Sequence, residues 1–275
     1  MKNLQLVVDG DACAHCGACV RDCPDSVIRL VDGLPAVNPE TREYCIECQH
    51  CIAVCPTGAL SALGRDPAAS ISLSREAFPN RQQMKTLVRG RRSVRQFCDA
   101  DVRGDIIDDL LSDAAHAPTG CNDRALSFLV VDTREVMRHL REDIVCAIEM
   151  GVAKGLSMPE FLPSAAAAFR RDGTDRIFRG APHLLIASAA SRALCGKQDV
   201  IIALSYFELL AQTAGLGTTW CGMLDFVVGA LPEVRDTLGI EKDAAFYGMM
   251  FGYPAVRYAR TVQRDTAADV RRYRG

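Results

Sequence analysis

Eight cysteines in the first part of this 275-residue chain form two copies of one spacing pattern. The first copy is Cys13-x2-Cys16-x2-Cys19-x3-Cys23-Pro24, and the second is Cys45-x2-Cys48-x2-Cys51-x3-Cys55-Pro56. Three closely spaced thiolates followed by a cysteine before proline bind [4Fe–4S] clusters, with the last cysteine ligating the other cluster. The pattern therefore predicts two [4Fe–4S] clusters, one held by Cys13, Cys16, Cys19 and Cys55, the other by Cys45, Cys48, Cys51 and Cys23.

Structural zinc and disulfide bonds are the alternatives for so dense a set of cysteines. Zinc sites usually pair two short C-x2–4-C knuckles across a gap, which is not the spacing found here. Disulfide frameworks belong to secreted proteins, and the N-terminus MKNLQLVVDGDAC lacks the hydrophobic region of a signal peptide. Iron–sulfur clusters are favoured over both. His15 and His50 lie inside the cysteine loops but are not expected to be ligands, because eight thiolates suffice.

Three further stretches carry residues that could hold a polar ligand. Arg91-Arg92-Ser93-Val94-Arg95 places three guanidinium groups and a hydroxyl close together in the chain, which suits the binding of a phosphate. Ala117-Pro118-Thr119-Gly120-Cys121-Asn122 is a tight polar turn, and Gly215-Leu216-Gly217-Thr218-Thr219-Trp220 is a glycine-rich stretch whose backbone can approach a flat ligand. An arginine cluster alone is more often a solvated helix face. The sequence contains neither a G-x-G-x-x-G fingerprint nor a Walker motif.

The composition is that of an ordinary globular protein, with 49% apolar residues, 24% charged residues and a net charge of −2. This charge gives no reason to expect a nucleic-acid partner. The most apolar stretches, 183–190 and 200–214, are too short or too polar to span a bilayer. The 13 cysteines fit a reducing compartment. We therefore expect a cytoplasmic protein without nucleic-acid or membrane partners.

The elements that must position these residues divide the chain into three segments. Residues 1–62 are predicted to form a cluster module with short strands and a turn at Asp32-Gly33, residues 63–80 a linker, and residues 81–275 a larger domain. In that domain, helices are predicted from residue 81, over 105–116, over a stretch that contains Val136, Leu140, Ile144 and Ile148, and over 200–214. Strands are predicted over 127–131, 183–187, 218–221 and 245–250. Residues 151–180 are less regular and are predicted to form a loop or lid with helical pieces. Helices interspersed with strands, without a βαβ rhythm, predict an α+β fold.

The cysteine module resembles the bacterial two-cluster ferredoxins, down to the Pro56-Thr57-Gly58-Ala59-Leu60 that ends its second half. The three later stretches, together with Gly252-Tyr253-Pro254 followed by Arg257 and Arg260, resemble the FMN-dependent nitroreductase family over roughly residues 85–264. A two-cluster ferredoxin ahead of such a domain is also similar to a known subgroup of that family, in which the clusters feed the flavin.

The resemblance implies a nitroreductase-like α+β fold with a mixed central sheet, and a homodimer with two FMN sites at its interface. It implies that Arg91 and Ser93, with Arg92 alongside, hold the phosphate and ribityl end, and that Arg95 lies near N1 and O2 of the ring. The remaining contacts that it implies are Pro118, Thr119, Gly120 and Asn122 from the partner subunit, backbone groups of Trp220, Cys221 and Gly222 along the N5 and O4 edge, and Arg257 and Arg260 on the phosphate.

The function implied is that of an oxidoreductase. Clusters accept single electrons from an external donor, a ferredoxin or an NAD(P)H-linked reductase, and FMN delivers pairs to a small acceptor such as a nitroaromatic, a quinone or an activated alkene. The alternatives are an electron-transfer protein in which FMN relays electrons to or from a protein partner, and a redox sensor without turnover. No catalytic side chain is assigned. Cys121 and Cys221 would flank the flavin, whose chemistry needs no protein nucleophile.

Overall fold

The computed structural model describes residues 4–264 and 268–274, which form two compact units. The first unit ends at Pro79 and also includes Cys121–Asp123, and the second comprises Asn80–Gly120 and the chain from Arg124 onward. None of the helices in the described ranges combines the length and the apolar character that crossing a bilayer requires.

The first unit contains two antiparallel strand pairs and two one-turn helices. In chain order its elements are β1 (Val7–Val8), α1 (Ala18–Arg21), β2 (Ile28–Val31), β3 (Leu34–Val37), α2 (His50–Ala53) and β4 (Leu60–Ser61). β1 pairs with β4, and β2 pairs with β3. The β2–β3 hairpin turns at Asp32 and Gly33, whose φ angles of 50° and 81° are those of a two-residue hairpin turn. The Asp-Gly pair therefore makes the turn that the sequence predicts.

The two cysteine runs repeat each other in conformation as well as in sequence. Gly17 precedes α1 with a φ of 65°, and Gln49 precedes α2 with a φ of 62°. His15 and Glu47, also at matching positions, have φ values of 51° and 57°. The left-handed region is uncommon for residues other than glycine, so its occurrence at both pairs of matching positions indicates that the two runs adopt the same local fold.

The second unit is an antiparallel four-stranded sheet with helices on both faces. Its elements are α3 (Arg81–Gly90), α4 (Gly104–Ala114), β5 (Leu126–Val131), α5 (Arg134–Ala153), α6 (Phe161–Asp172), β6 (His183–Ala189), α7 (Gly196–Thr213), β7 (Gly217–Trp220), α8 (Gly222–Ala230), α9 (Pro232–Thr237) and β8 (Ala245–Gly252). The strand order is β5-β6-β8-β7. An isolated parallel bridge joins Ser93 to Thr218 of β7. The predicted α+β class is confirmed.

Buried side chains of β6 alternate between the two faces of the sheet. Leu184 and Ile186 belong to a core formed with α5, α6 and α8, whereas Leu185 and Ala187 belong to a core formed with α4 and α7. Each fully buried leucine of this kind stabilises the fold by about 1.5–3 kcal/mol relative to an exposed one. The central strands are thus fixed from both sides, which makes them a rigid support for residues at the sheet edge.

The structure contains two helices of the second unit that the sequence did not predict, α8 and α9, which follow β7. Within residues 151–180, predicted to be a loop or lid with helical pieces, the helical piece is α6. Pro163 lies in the first turn of α6, where its missing N–H is tolerated. The apolar character of α8 on nearly all sides, with Gly222 and Gly229 inside it, leaves no helical periodicity to detect.

His183, the first residue of β6, is fully buried with both ring nitrogens hydrogen-bonded. Its Nε2 accepts from the Val102 N–H at 2.9 Å, so Nδ1 carries the proton and faces the Val131 carbonyl oxygen at 3.3 Å. Burial lowers the pKa of His183 below its usual value, against a smaller opposing effect of that carbonyl and of the nearby Asp101 and Asp132 carboxylates. Protonation would also abolish the bond from Val102.

We expect the second unit to lose stability as the pH falls below about 6.5, the ordinary histidine pKa. The unfolded chain binds a proton there that folded His183 does not, so the free energy of unfolding decreases by up to about 1.4 kcal/mol per pH unit. Unfolding of the cofactor-free protein can be followed through Trp220, the single tryptophan. His183→Gln should show a weaker decrease between about pH 7 and about pH 5; an equal decrease in both proteins would rule out this histidine as its source.

Candidate functional site

The first unit contains a cavity lined by four cysteines. Three belong to the first cysteine run and one to the second; they are Cys13, Cys16, Cys19 and Cys55. Apolar side chains such as Leu30 and Leu60 complete the wall. The Cys16 side chain is exposed and that of Cys19 is buried, so the cavity has one edge near solvent and another in the core.

A second cavity has the reciprocal composition. Its cysteines are Cys45, Cys48 and Cys51 of the second run and Cys23 of the first. The structure thus assembles the same two sets of four that the spacing predicts. Within the described residues, no three or more His, Cys, Asp and Glu side chains converge closely enough for a single metal ion. The four thiols of each set therefore line a cavity and do not converge on one metal-ion position.

Burial and neighbouring cysteines raise the pKa of one thiol in each cavity. Burial raises the pKa of Cys51 to about 11, and the nearby Cys48 and Cys23 contribute in the same direction. Burial also raises the pKa of Cys19, with a further contribution from Cys55 and Cys16. Four thiolates in one cavity are costly without a cation, whereas iron stabilises the deprotonated form. The donor sets therefore fit one cationic cluster in each cavity.

The last cysteine of each run accepts hydrogen bonds from residues that follow it. Cys23 Sγ accepts from the Val27 N–H at 3.3 Å. Burial acts to raise the pKa of Cys55, but the Thr57 hydroxyl and nearby backbone N–H groups hold that pKa below its usual value. Hydrogen bonds to ligand sulfurs are among the features that set the reduction potential of a cluster.

The two histidines of the cysteine loops face oxygen atoms. His15 Nδ1 lies 3.0 Å from the Gly33 carbonyl oxygen, and His50 Nδ1 lies 3.2 Å from the Asp22 carboxylate. His15 also lines the first cavity and His50 the second, so that they are not ligands stays a prediction based on the eight thiolates.

In the second unit, residues 91–95 run beside the edge strand β7. The Val94 N–H donates to the Thr218 carbonyl oxygen at 2.9 Å, and the Thr219 hydroxyl donates to the Val94 carbonyl oxygen. A side chain at Gly217 would place its Cβ 2.5 Å from Val94. Only glycine permits this approach, which fixes the segment against the sheet.

The arginines of this segment have different environments. Arg91 Nη1 lies 3.0 Å from Oε1 of Glu208 on α7, a carboxylate in a residue only 7% exposed. Arg92 Nη2 donates to the Arg89 carbonyl oxygen at 3.2 Å, and Arg95 is exposed. Arg91 therefore uses one of its five donors on the protein itself, which the sequence analysis did not predict.

The chain beyond β8 returns to the same segment. The Tyr258 hydroxyl donates to the Ser93 carbonyl oxygen at 3.5 Å. Arg257 and Arg260, on either side of this tyrosine, are exposed. The structure thus brings the start of the basic C-terminal stretch to residues 91–95, although these regions are far apart in sequence.

The turn at Gly120 is held between two residues near the start of α7. The Gly120 N–H donates to Asp199 Oδ1 at 3.0 Å. A Cβ at Gly120 would lie 2.7 Å from the sulfur of Cys195. Next to it, the Thr119 hydroxyl accepts from the Arg124 N–H at 3.1 Å. These contacts fix the backbone of the turn.

The remaining residues of this turn have different positions. Pro118 is exposed in the second unit. Cys121–Asp123 belong to the first unit, where the Asn122 Nδ2 donates to the Ile46 carbonyl oxygen at 2.8 Å.

Trp220, Cys221 and Gly222 connect β7 to α8. The Cys221 N–H donates to the Gly248 carbonyl oxygen at 2.8 Å, and burial raises the pKa of its thiol to about 12. A buried, protonated thiol is not a nucleophile. Gly222 begins α8, and a Cβ there would lie 3.0 Å from the Tyr247 hydroxyl.

Three buried polar side-chain atoms in the described ranges have no hydrogen-bond partner: Arg92 Nε, Thr218 Oγ1 and Asp199 Oδ2. Arg92 and Thr218 belong to two of the predicted ligand-binding stretches, and Asp199 holds the third through Gly120. Leaving a buried polar group unsatisfied costs about 1–3 kcal/mol. Their confinement to these stretches indicates that a polar ligand supplies the missing contacts, so the residues fit a phosphate-bearing cofactor such as FMN.

Asp199 and Glu208, which contact Gly120 and Arg91, are two residues that the sequence analysis missed. Both lie on α7, a helix that is otherwise apolar on nearly all sides, and they are 2% and 7% exposed. Because an isolated buried charge is costly, a carboxylate on such a helix needs a partner. Acidic residues within an otherwise apolar helix were thus the signal available in the sequence.

Residues 88–253 match the nitroreductase family, and residues 12–60 match the 4Fe-4S dicluster domain. The methylamine utilization ferredoxin-type protein MauM of Methylobacillus flagellatus is 41% identical over 63 residues, which cover 20% of this chain and 27% of that protein. The chain therefore spans about a quarter of the length of this relative.

A putative NADH dehydrogenase/NAD(P)H nitroreductase of Archaeoglobus fulgidus is 23% identical over 165 residues, which cover 60% of this chain and 81% of that protein. Among solved structures, a nitroreductase with bound FMN from Bacteroides fragilis has a TM-score of 0.55 and 21% identity, covering 70% of this chain and 100% of that chain. This likeness shows that the second unit shares the fold.

Proposed function

This chain belongs to the nitroreductase family of FMN-dependent oxidoreductases and carries a 4Fe–4S dicluster domain; from that premise we propose that it passes electrons from two [4Fe–4S] clusters to FMN and on to an organic acceptor. Nitroaromatics, quinones and activated alkenes are the acceptor classes. The observation that carries the proposal is the distribution of eight cysteines over two cavities, each with three thiols from one run and one from the other.

In the first unit, the role of the chain is to hold the clusters and to set their contact with solvent. When bound, the clusters supply single electrons and FMN collects two of them. Cys16 is exposed, so the first cavity has an edge that an external donor can approach. A ferredoxin or an NAD(P)H-linked reductase is the proposed donor.

In the second unit, residues 91–95 would hold the phosphate and ribityl end of FMN. Arg92 Nε, which is buried without a partner, would gain one there. Arg95 would stabilise the anionic reduced flavin near N1 and O2. The other proposed contacts are Arg91, Ser93, Arg257 and Arg260 at the phosphate end and backbone groups of Trp220, Cys221 and Gly222 along the ring edge.

We place these sites in a homodimer. The neighbouring helices α3 and α7 expose Val88 at 54%, Ile201 at 43% and Tyr206 at 44%. Large apolar side chains left exposed on two helices that pack against each other favour a protein interface. Pro118, Thr119, Gly120 and Asn122 would then be supplied to each flavin by the partner subunit.

The test is anaerobic turnover of a nitroaromatic and a quinone with a reduced ferredoxin as donor. The double variant Cys13→Ala/Cys23→Ala removes one ligand from each cavity. Its ferredoxin-driven turnover should fall to a small fraction of the wild-type rate with FMN still bound, because the single-electron route is lost. Cys146→Ser, at an exposed thiol on α5, is the matched control and should retain turnover.

Undiminished ferredoxin-driven turnover in the double variant would refute the electron route. Wild-type protein that reduces no small acceptor but transfers electrons to an added redox protein would instead favour the relay function.

A further inference from the structure

Asp199 is a buried carboxylate of which only one oxygen is used. It lies in the first turn of α7 and is 2% exposed. Oδ1 accepts the Gly120 N–H at 3.0 Å, whereas Oδ2 is buried and has no hydrogen-bond partner among the described residues. A carboxylate accepts up to four hydrogen bonds, so this one is far from satisfied by the protein chain.

The fold alone does not explain a charge at this position. A neutral side chain of the same shape would also accept the Gly120 N–H, and it would avoid the cost of burying an incompletely solvated charge. Residues that oppose stability in this way are typical of sites that serve a ligand. The free oxygen is therefore the feature that needs a function.

The surroundings of Asp199 connect it to one element. The turn at Gly120 is confined between Asp199 Oδ1 and the Cys195 sulfur, which leaves no room for a side chain at Gly120. Movement of the Asp199 carboxylate would therefore move the backbone of Thr119 and Gly120. Both residues belong to the turn that we propose contacts FMN.

We infer that Asp199 is a positioning residue of the flavin site: Oδ1 fixes the turn at Gly120, and Oδ2 accepts a hydrogen bond from an N–H or O–H group of bound FMN. The inference rests on the proposed function. It explains why a buried acid is kept on an apolar helix, and it assigns the unsatisfied oxygen to a donor that arrives with the cofactor.

Asp199→Asn separates these two roles. The asparagine keeps an acceptor for the Gly120 N–H but presents an NH2 group where Oδ2 was, so a donor on FMN would meet another donor. We expect the Kd for FMN to rise about tenfold or more, since the loss of a charged hydrogen bond is of this order. The melting temperature of the cofactor-free protein should stay the same or increase, because the buried charge is gone.

The experiment titrates cofactor-free protein with FMN by flavin fluorescence and records its thermal unfolding and its elution on gel filtration. Asp199→Ala removes both contacts and should weaken FMN binding at least as much as Asp199→Asn. Glu241→Gln is the control, because this exposed carboxylate already accepts from the N–H and hydroxyl of Ser191. It should bind FMN like the wild type.

Weaker FMN binding by Asp199→Asn with unchanged or raised thermal stability supports the inference. Wild-type affinity in Asp199→Asn would overturn it, as would weaker binding accompanied by a lower melting temperature or by dissociation of a dimer, since these show a role in folding or assembly only. If the wild type itself binds no FMN, the proposed function fails together with the inference, which distinguishes the two cases.

Discussion

A chain that carries both Cys13→Ala and Cys55→Ala is expected to retain about four irons, the number expected for either single variant. The two cysteines lie in different runs of the sequence but line the same cavity, so the second substitution damages a cluster that the first has already removed. Cys13→Ala with Cys23→Ala is expected to retain almost no iron, although these two cysteines belong to the same run, because Cys23 lines the other cavity.

Iron and sulfide analysis after anaerobic reconstitution distinguishes these patterns, with Cys146→Ser as the variant that should keep all its iron. The opposite result, in which Cys13→Ala/Cys55→Ala loses all iron and Cys13→Ala/Cys23→Ala keeps half, would show that each run binds its own cluster. Stoichiometric zinc in place of iron would remove the basis for cluster chemistry altogether.

Arg91→Ala is expected to lower the free energy of unfolding of the cofactor-free protein by about 1.5–3 kcal/mol, the value of a hydrogen bond to a charged group. The substitution leaves the Glu208 carboxylate buried without the cation that lies 3.0 Å from it. It should also weaken FMN retention, because Arg91 is proposed to contact the phosphate. Chemical denaturation and flavin content after gel filtration measure the two effects.

The double variant Arg91→Ala/Glu208→Gln separates these effects. Removing the unpaired charge should recover most of the lost stability, whereas FMN retention should stay low because the phosphate contact is still missing. Glu208→Gln alone, with Arg91 released from its carboxylate, should retain FMN at least as well as the wild type. Full flavin retention by the double variant would mean that Arg91 has a structural role only.

The features that the sequence predicts well are those encoded by local spacing. Three cysteines of each run lie within a few residues of one another, and the motif assigns the fourth, before proline, to the other cluster, so the grouping can be read directly. The strands β5, β6, β7 and β8 lie close to their predicted positions because short runs of buried residues between polar turns identify them. The Asp32-Gly33 turn follows from the conformational freedom of glycine.

The features that could not be predicted depend on contacts between residues far apart in the chain. Arg91 pairs with Glu208, and Gly120 is held by Asp199, across separations that no local pattern records. The environment of Cys221 is also set by tertiary packing, which buries it beneath the sheet edge and keeps its thiol protonated. The predicted FMN contacts of individual residues remain predictions, since they depend on a cofactor and on a second subunit.

The most direct test of the account is metal and flavin analysis, with visible spectroscopy, of wild-type protein purified or reconstituted under anaerobic conditions. We predict about eight irons and one FMN per chain, with the broad absorption of [4Fe–4S] clusters superimposed on the flavin bands. A colourless protein after careful reconstitution, without iron and without flavin, would contradict the account.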